Sequence, residues 1–208
     1  MRFDDRVDAG RRLAPQVREL DLPRDVLVVG LPRGGVPVAA EVAVALDAPL
    51  DVLVVRKLGV PGHEELAFGA IALGGVRILN EDVVGVSRLG HEDIEAVTKR
   101  ESEELARREA AYRGARPPLE VRDRTVVVVD DGLATGATMT AAVSALRAAG
   151  AARIVVAVPV GAPSTCAMIA ERADDVICLY QPSNFRAVGI WYRDFSPTTD
   201  AEVRAAVA

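Results

Sequence analysis

Five short runs of the sequence are apolar at consecutive positions instead of at every second position. They are rich in valine and cover residues 25–30, 51–55, 125–129, 153–160 and, more weakly, 175–180. A strand with one face in water alternates apolar and polar residues, whereas a strand that is apolar throughout is buried on both faces. Runs of this length therefore predict the strands of a parallel sheet that helices cover on both sides.

Two stretches rich in alanine lie between these runs, at residues 36–46 and 139–150, and Gly150 is well placed to end the second as a helix. Strands that alternate with helices predict an α/β fold with a doubly wound, mostly parallel sheet. A chain of 208 residues is long enough to bury roughly 70% of its unfolded surface without disulfides. We expect one domain over residues 1–208, with its core at about residues 25–180.

The amino-acid composition excludes some classes of protein. Half of the residues are apolar and the net charge is -5, which excludes a disordered chain and gives no support to a nucleic-acid or membrane-surface partner. No apolar run approaches the roughly 20 residues that cross a bilayer. The amino-terminal residues lack the apolar core of a secretory signal, so we expect a cytoplasmic protein. Cys166 and Cys178 lack the spacing of a zinc site, and we expect two buried, inert thiols.

One segment, residues 91–113, is charged along its whole length. Four glutamates stand four residues before a basic residue, the order that favours a helix. The pairs are Glu95 with Lys99, Glu103 with Arg107, Glu104 with Arg108, and Glu109 with Arg113. We expect one long exposed helix, an insertion at about residues 90–114, which either lies solvated on the core or binds a partner.

Residues that suit anion binding follow three of the apolar runs. Arg33 and Gly34 come after the first run, Arg56 and Lys57 after the second, and the segment 130–138 after the third. In a doubly wound sheet the ligand crevice lies at the carboxyl ends of the strands. Three separate strands would therefore deliver these residues to one crevice.

The third of these segments contains an acidic pair, Asp130 and Asp131, followed by small and hydroxyl-bearing residues before a helix. The latter are Ala134, Thr135, Gly136, Ala137 and Thr138. Such a turn cradles phosphate, because its backbone N–H groups approach the oxygens and the helix dipole favours an anion. The carboxylates would repel that phosphate unless they bind sugar hydroxyls or Mg²⁺ on the same ligand. The pattern predicts a sugar-phosphate site; the alternative is a polar turn whose aspartates cap the next helix.

The segment VVVVDDGLATGAT resembles the motif with which type I phosphoribosyltransferases bind 5-phosphoribosyl 1-pyrophosphate (PRPP). The resemblance covers about residues 25–160. It implies a type I phosphoribosyltransferase fold with a small hood, and a reaction in which a nitrogen acceptor, such as a nucleobase, displaces pyrophosphate from the ribose. It also implies Mg²⁺ as cofactor and is compatible with a homodimer.

The resemblance assigns roles to the residues of the three loops. Asp130 and Asp131 would hold the ribose hydroxyls and the Mg²⁺ shell, and the 5-phosphate would bind at 134–138. The pyrophosphate would bind Arg33, Gly34, Arg56 and Lys57, and the catalytic residues would be Asp131, Arg56 and Lys57. Residues 58–68 would form a mobile lid over the reacting centre.

The loops are most similar to those of adenine phosphoribosyltransferase, with two departures. The lid glutamate of that subfamily falls on Ala67, although Glu64 and Glu65 lie close by. The 6-oxopurine enzymes place an aspartate before the threonine–glycine pair, and here that position is Ala134. The resemblance therefore leaves the acceptor open.

Five of the eight aromatic residues fall within residues 180–195. This segment is a candidate hood, with Phe185 as the first choice for stacking on a planar acceptor, and the alternative is a packed cover over the sheet edge. We expect a PRPP-dependent transferase. The alternatives are a PRPP-binding regulatory protein without turnover and an assembly module that uses the charged helix.

Overall fold

The computed structural model describes residues 2–208, and its centre is a parallel sheet of five strands in the order β2-β1-β6-β7-β8. The strands are β1 (Leu27–Gly30), β2 (Leu50–Val52), β6 (Thr125–Val129), β7 (Arg153–Val160) and β8 (Asp175–Tyr180). Val28 pairs with Val127 on one side and with Leu50 on the other. The predicted parallel sheet is confirmed.

Helices cover both faces of this sheet, as a doubly wound fold requires. One face carries α1 (Arg6–Arg18) and α2 (Gly35–Leu46), and the other carries α5 (Ala137–Ala148) and α6 (Pro163–Ala170). The remaining helices are α3 (Glu81–Val86), α4 (His91–Arg113), a single 3₁₀ turn (Val188–Trp191) and α7 (Asp200–Val207). Within residues 2–208, no helix is both long and apolar enough to span a bilayer.

Successive valines of the central strands face opposite helical layers. Val28 and Val127 pack with α1 and α2, whereas Val29 and Val128 pack with α5 and α6, and all four are fully buried. Full burial of one such side chain is worth about 1.5 to 3 kcal/mol. The absence of polar alternation in these runs thus reflects a core on each side of the sheet.

A second sheet of three antiparallel strands follows β2 and includes the segment predicted as a lid. Its strands are β3 (Val55–Val60), β4 (His63–Ala72) and β5 (Val76–Leu79). Residues 58–68, predicted as a lid loop, are instead part of the β3–β4 hairpin. Leu58 and Phe68 are fully buried and pack in one apolar cluster with Leu105 of α4, which fixes the hairpin against the helix.

Helix α4 occupies the predicted range, but it is not solvated on all sides. Val97, Leu105 and Tyr112 are buried in the cluster that includes the second sheet. Helix α4 also contacts α7. A stripe with this helical spacing is the apolar face of an amphipathic helix.

The charges of α4 form fewer helical pairs than the sequence suggests. Of the four predicted pairs, Glu104 with Arg108 forms, at 2.7 Å. Arg113 instead makes a two-pronged contact with Asp51 of β2, at 2.8 and 3.0 Å. The buried Asp51 carboxylate attracts the arginine more strongly than the half-buried Glu109 carboxylate on the same helix, because water screens the latter more.

Arg113→Ala is expected to destabilise the fold by about 3 kcal/mol, because it leaves the Asp51 carboxylate without its main partner. Both side chains of this pair are only about a tenth exposed. The matched control is Arg107→Ala, since Arg107 pairs with Glu104 while its own side chain is two-thirds exposed, and its cost should stay within about 0.5 kcal/mol. Urea denaturation measures both values. Equal costs would contradict a structural role for the Asp51 pair.

The carboxyl-terminal aromatics form a packed cluster with the amino terminus. The rings of Phe3 and Tyr192 lie 5.4 Å apart and those of Tyr180 and Trp191 lie 5.2 Å apart, between centroids. Phe185 is half-buried and packs against this cluster. The cluster has the form of the packed cover, while the role of Phe185 in acceptor binding stays a prediction.

The two cysteines are free thiols, as the sequence predicts. Cys166 is buried, whereas Cys178 is only half-buried. The Cys178 thiol donates a hydrogen bond to the Tyr180 carbonyl oxygen at 3.4 Å. The expectation of two buried thiols therefore holds fully for Cys166 and in part for Cys178.

Candidate active site

The candidate site lies where the carboxyl ends of β1 and β6 meet. Gly30 and Val129, the last residues of these strands, are paired in the sheet. The chain continues from β1 towards β2 and from β6 towards β7, in opposite directions along the sheet. Ligand crevices of open α/β sheets form at this reversal point.

Two glycines after β1 lie directly against the acidic pair after β6. A Cβ atom on Gly34 would overlap the Asp131 carboxylate, and one on Gly35 would lie 2.6 Å from the Val129 carbonyl oxygen. Neither position tolerates a side chain without displacing the acidic pair. Gly34, predicted to bind pyrophosphate, thus also permits the two loops to touch.

The acidic pair is held in a defined arrangement. Asp130 Oδ1 accepts a hydrogen bond from the Asp131 backbone N–H at 2.8 Å. Burial and the neighbouring Asp131 carboxylate raise the pKa of Asp130 well above its ordinary value. Burial also raises the pKa of Asp131, and the Arg6 guanidinium opposes that rise. A ligand that supplies hydroxyl donors or a cation would favour the charged form of both groups.

Two residues that sequence reasoning missed contact Asp131. Arg6 Nε donates to Asp131 Oδ2 at 2.9 Å, and the Tyr192 hydroxyl donates to the Asp131 carbonyl oxygen at 2.6 Å. Burial, with Asp131 adding to it, raises the pKa of Tyr192, so its hydroxyl stays protonated. These partners are 125 and 61 residues away along the chain, and no local pattern marks them.

The predicted phosphate loop and Asp130 of the acidic pair line one cavity of about 160 Å³. Its lining includes the predicted residues Asp130, Ala134, Thr135, Gly136, Ala137 and Thr138, and also Val188. Gly136 has φ +74° and precedes the first residue of α5, which directs the free N–H groups of that helix into the loop. The Thr165 hydroxyl donates to the Ala134 carbonyl oxygen at 2.6 Å and holds the loop from behind.

The basic residues are distributed differently from the prediction. Arg56 and Lys57 are consecutive in β3, so their side chains leave opposite faces of the strand. Lys57 lines a second cavity, of about 550 Å³, together with Thr135 and Ala137. Arg56 points the other way and donates from Nε to Glu101 of α4 at 2.9 Å. The structure therefore separates two residues that were predicted to act together.

Arg33 lies on an exposed part of the loop after β1. Its guanidinium is 3.8 Å from the Asp200 carboxylate at the start of α7, and both side chains are about half exposed. An exposed pair at that distance contributes little to stability. The Arg33 guanidinium is therefore not held by a strong ion pair.

The acidic side chains at the crevice suit a metal ion that binds together with a phosphate substrate. They suit a permanently bound metal ion less well. Within residues 2–208, no cluster of three or more His, Cys, Asp or Glu side chains could enclose an ion. Asp130 and Asp131 are the two carboxylates at the crevice, and Asp131 already carries Arg6. Mg²⁺ suits such a site, since it usually keeps several waters and binds through one or two carboxylates plus substrate phosphates.

Comparison with known proteins identifies the family of the chain. The family model described as the phosphoribosyl transferase domain matches residues 3–190. Rv0571c of Mycobacterium tuberculosis, which its name assigns provisionally to the phosphoribosyl transferases, is 53% identical over 203 residues. That match covers 98% of this chain and 46% of that protein, so the chain spans about half the length of the curated relatives it matches.

Solved structures show the same fold. TT1426 from Thermus thermophilus superposes with a TM-score of 0.89 at 44% identity, and the match covers all of this chain and 98% of that one. A purine phosphoribosyltransferase from Pyrococcus horikoshii is 19% identical with a TM-score of 0.50, covering 90% and 87% of the two chains, and indicates the fold alone. On the match of residues 3–190, the chain belongs to the phosphoribosyl transferase domain family.

Proposed function

We propose that this protein is a pentosyltransferase that moves the 5-phosphoribosyl group of PRPP to a nitrogen atom of a small acceptor, such as a nucleobase. The observation that carries the proposal is the single cavity that the acidic residue Asp130 shares with the loop 134–138. Carboxylates beside a phosphate cradle suit a ligand that has hydroxyls next to a phosphate. A ribose 5-phosphate is such a ligand.

Each group at the crevice has a task in this reaction. The N–H groups at the start of α5 and the Thr135 and Thr138 hydroxyls bind the 5-phosphate. Asp130 and Asp131 accept hydrogen bonds from the ribose hydroxyls, which are stronger because the acceptors are charged. The acceptor nitrogen forms a bond to C1 as the bond from C1 to pyrophosphate breaks, and the acceptor loses a proton.

The pyrophosphate leaving group needs positive charge around it. Arg33 lies on the loop beside the acidic pair, and Lys57 lines a cavity that includes Thr135. Mg²⁺ held at Asp130 and Asp131 would supply further charge neutralisation to the leaving group when bound. Positioned charge of this kind is usually the largest contribution to such a reaction.

A thermal-shift measurement tests the binding half of the proposal. PRPP at about 100 times its Kd, with Mg²⁺, adds roughly 2.7 kcal/mol to the stability of the folded state. For a protein of this size the melting temperature should then rise by about 5 to 10 °C. The His91→Ala variant should keep this rise, because His91 is 88% exposed on α4. An unchanged melting temperature at millimolar PRPP and Mg²⁺ would contradict the site.

One observation favours a second function, a PRPP-binding regulatory protein without turnover. Arg56, expected at the pyrophosphate, is held by Glu101, whose side chain is only a tenth exposed. A site that binds the phosphoribosyl group of PRPP but does not stabilise the pyrophosphate leaving group would bind PRPP without cleaving it. Pyrophosphate release over a panel of nitrogen acceptors separates the two functions: release supports the transferase, and tight PRPP binding without release supports the regulator.

A further inference from the structure

Two segments that are far apart in the sequence, residues 2–6 and 191–196, run side by side next to the acidic pair. We call residues 2–6 and 191–196 together the brace. The Phe3 N–H donates to the Trp191 carbonyl oxygen at 2.8 Å, and the Arg193 N–H donates to the Phe3 carbonyl oxygen at 2.8 Å. A further bond joins the Asp194 N–H to the Asp4 carbonyl oxygen at 2.9 Å. The brace is therefore a defined structure and not a pair of loose ends.

Arg6 projects from the brace onto Asp131 and is fixed by three contacts. Its Nε donates to Asp131 Oδ2 at 2.9 Å, and its Nη1 donates to the Ser196 carbonyl oxygen at 2.8 Å. Its Cζ lies 4.0 Å from the centre of the Phe195 ring, within the range of a cation–π contact. The side chain is only 12% exposed. A planar guanidinium with two hydrogen bonds and a stacked face has one available orientation.

The brace also holds the main chain of Asp131. The Tyr192 hydroxyl donates to the Asp131 carbonyl oxygen at 2.6 Å. The Tyr192 ring in turn packs against the Phe195 ring, with 5.0 Å between centroids. The side chain of Asp131 and its backbone are thus fixed from the same side by one cluster, Arg6, Tyr192 and Phe195.

The charge of Arg6 bears on a conflict within the site. Asp130 lines the cavity of the phosphate loop, and the Asp131 carboxylate is next to it in the chain, so a ligand with several negative charges would meet two acidic groups. Like charges in such a partly buried site repel each other more strongly than they would in water, because the effective dielectric is lower. Because Arg6 pairs with Asp131 at 2.9 Å, it offsets one of the two negative charges without entering the phosphate loop.

We propose that Arg6 is a positioning residue of the PRPP site. It holds Oδ2 of Asp131, leaves Oδ1 as the acceptor for a ribose hydroxyl, and reduces the repulsion between the acidic pair and the phosphates. This inference rests on the proposed function. Arg6 acts through Asp131 and is not itself a ligand of PRPP.

Titration calorimetry with PRPP and Mg²⁺ tests the role of Arg6. Removing such a supporting partner typically costs about 10- to 100-fold, so Arg6→Ala should raise the Kd by that factor. Arg6→Lys keeps the charge and loses the planar fork, so it should recover part of the affinity and remain about threefold or more weaker than wild type. Arg12→Ala is the matched control: Arg12 lies on the same helix, pairs with Asp8 at 2.9 Å and faces the Phe3 ring. Its Kd should stay within about twofold of wild type.

A merely structural Arg6 would give a different result. If folded Arg6→Ala binds PRPP within about twofold of wild type, or if Arg12→Ala loses as much affinity as Arg6→Ala, the proposal is overturned. If Arg6→Ala does not fold, Arg6→Lys carries the test alone, and an unchanged Kd overturns the proposal.

A second readout does not depend on PRPP. The Nε–H of Arg6 should give a distinct, slowly exchanging proton–nitrogen NMR signal in the ligand-free protein, because Asp131 and Phe195 shield it. Asp131→Asn should shift that signal, and its absence in wild type overturns the contact itself. Failure of wild type to bind PRPP, with the signal present, would instead count against the proposed function.

Discussion

Asp131→Asn is expected to abolish the rise in melting temperature that PRPP and Mg²⁺ give the wild-type protein. The amide has nearly the shape of the carboxylate but lacks its charge, and a charged acceptor binds a hydroxyl about twice as strongly as a neutral one. The substitution also leaves the buried Arg6 guanidinium without its counter-charge, since Arg6 is 12% exposed. The unliganded variant should therefore lose about 3 kcal/mol of stability, which lowers the melting temperature by about 6 to 12 °C.

Asp82→Asn separates this effect from a general loss of one acidic residue. Asp82 is exposed in the first turn of α3, so its removal should cost at most about 1 kcal/mol. This variant should keep the full rise with PRPP and Mg²⁺. A wild-type rise in Asp131→Asn would mean that the ribose does not bind at the acidic pair.

The central sheet was predictable from the sequence because a strand that is buried on both faces has apolar residues at consecutive positions. Val28 and Val29 are both fully buried, against opposite helical layers, and a run of consecutive valines records this directly. The sequence pattern of the β3–β4 hairpin is weaker. Its turn contains Pro61 and Gly62, which indicate a loop, and the four residues of β4 before Ala67 are exposed. The apolar stretch 66–73 marks the second half of β4 but not the start of the strand.

Part of the candidate site was likewise predictable from the sequence and part was not. Asp130 and the loop 134–138 are neighbours in sequence, so a contiguous motif predicts that they meet. The partners of the basic and acidic groups come from distant segments: Arg6 is 125 residues from Asp131, and Glu101 is 45 residues from Arg56. Charges that are four residues apart in the sequence predict ion pairs within a helix. Which buried carboxylate an arginine contacts depends instead on tertiary packing.

Gly35→Ala is expected to destabilise the fold by about 3 kcal/mol, at the upper end of the cost of an extra methyl in a packed core. It should also abolish PRPP binding. The new Cβ would lie 2.6 Å from the Val129 carbonyl oxygen and 2.8 Å from the Asp130 Cα. Both contacts are with main chain, so no side chain can rotate away. The ends of β1 and β6 must separate, and Asp130 moves with them. Thermal denaturation and calorimetry with PRPP and Mg²⁺ measure the two losses.

Gly85→Ala is the matched control for Gly35→Ala. Gly85 is also helical, in α3, and a Cβ there meets nothing within 4 Å. That substitution should raise stability by about 0.5 to 1 kcal/mol, because alanine loses less conformational freedom in a helix. Both variants add one methyl to a helical glycine, so their difference reports the crowding where β1, α2 and β6 meet. Equal stability in the two variants would contradict that crowding. Retained PRPP binding in a destabilised Gly35→Ala protein would place the ribose away from Asp130.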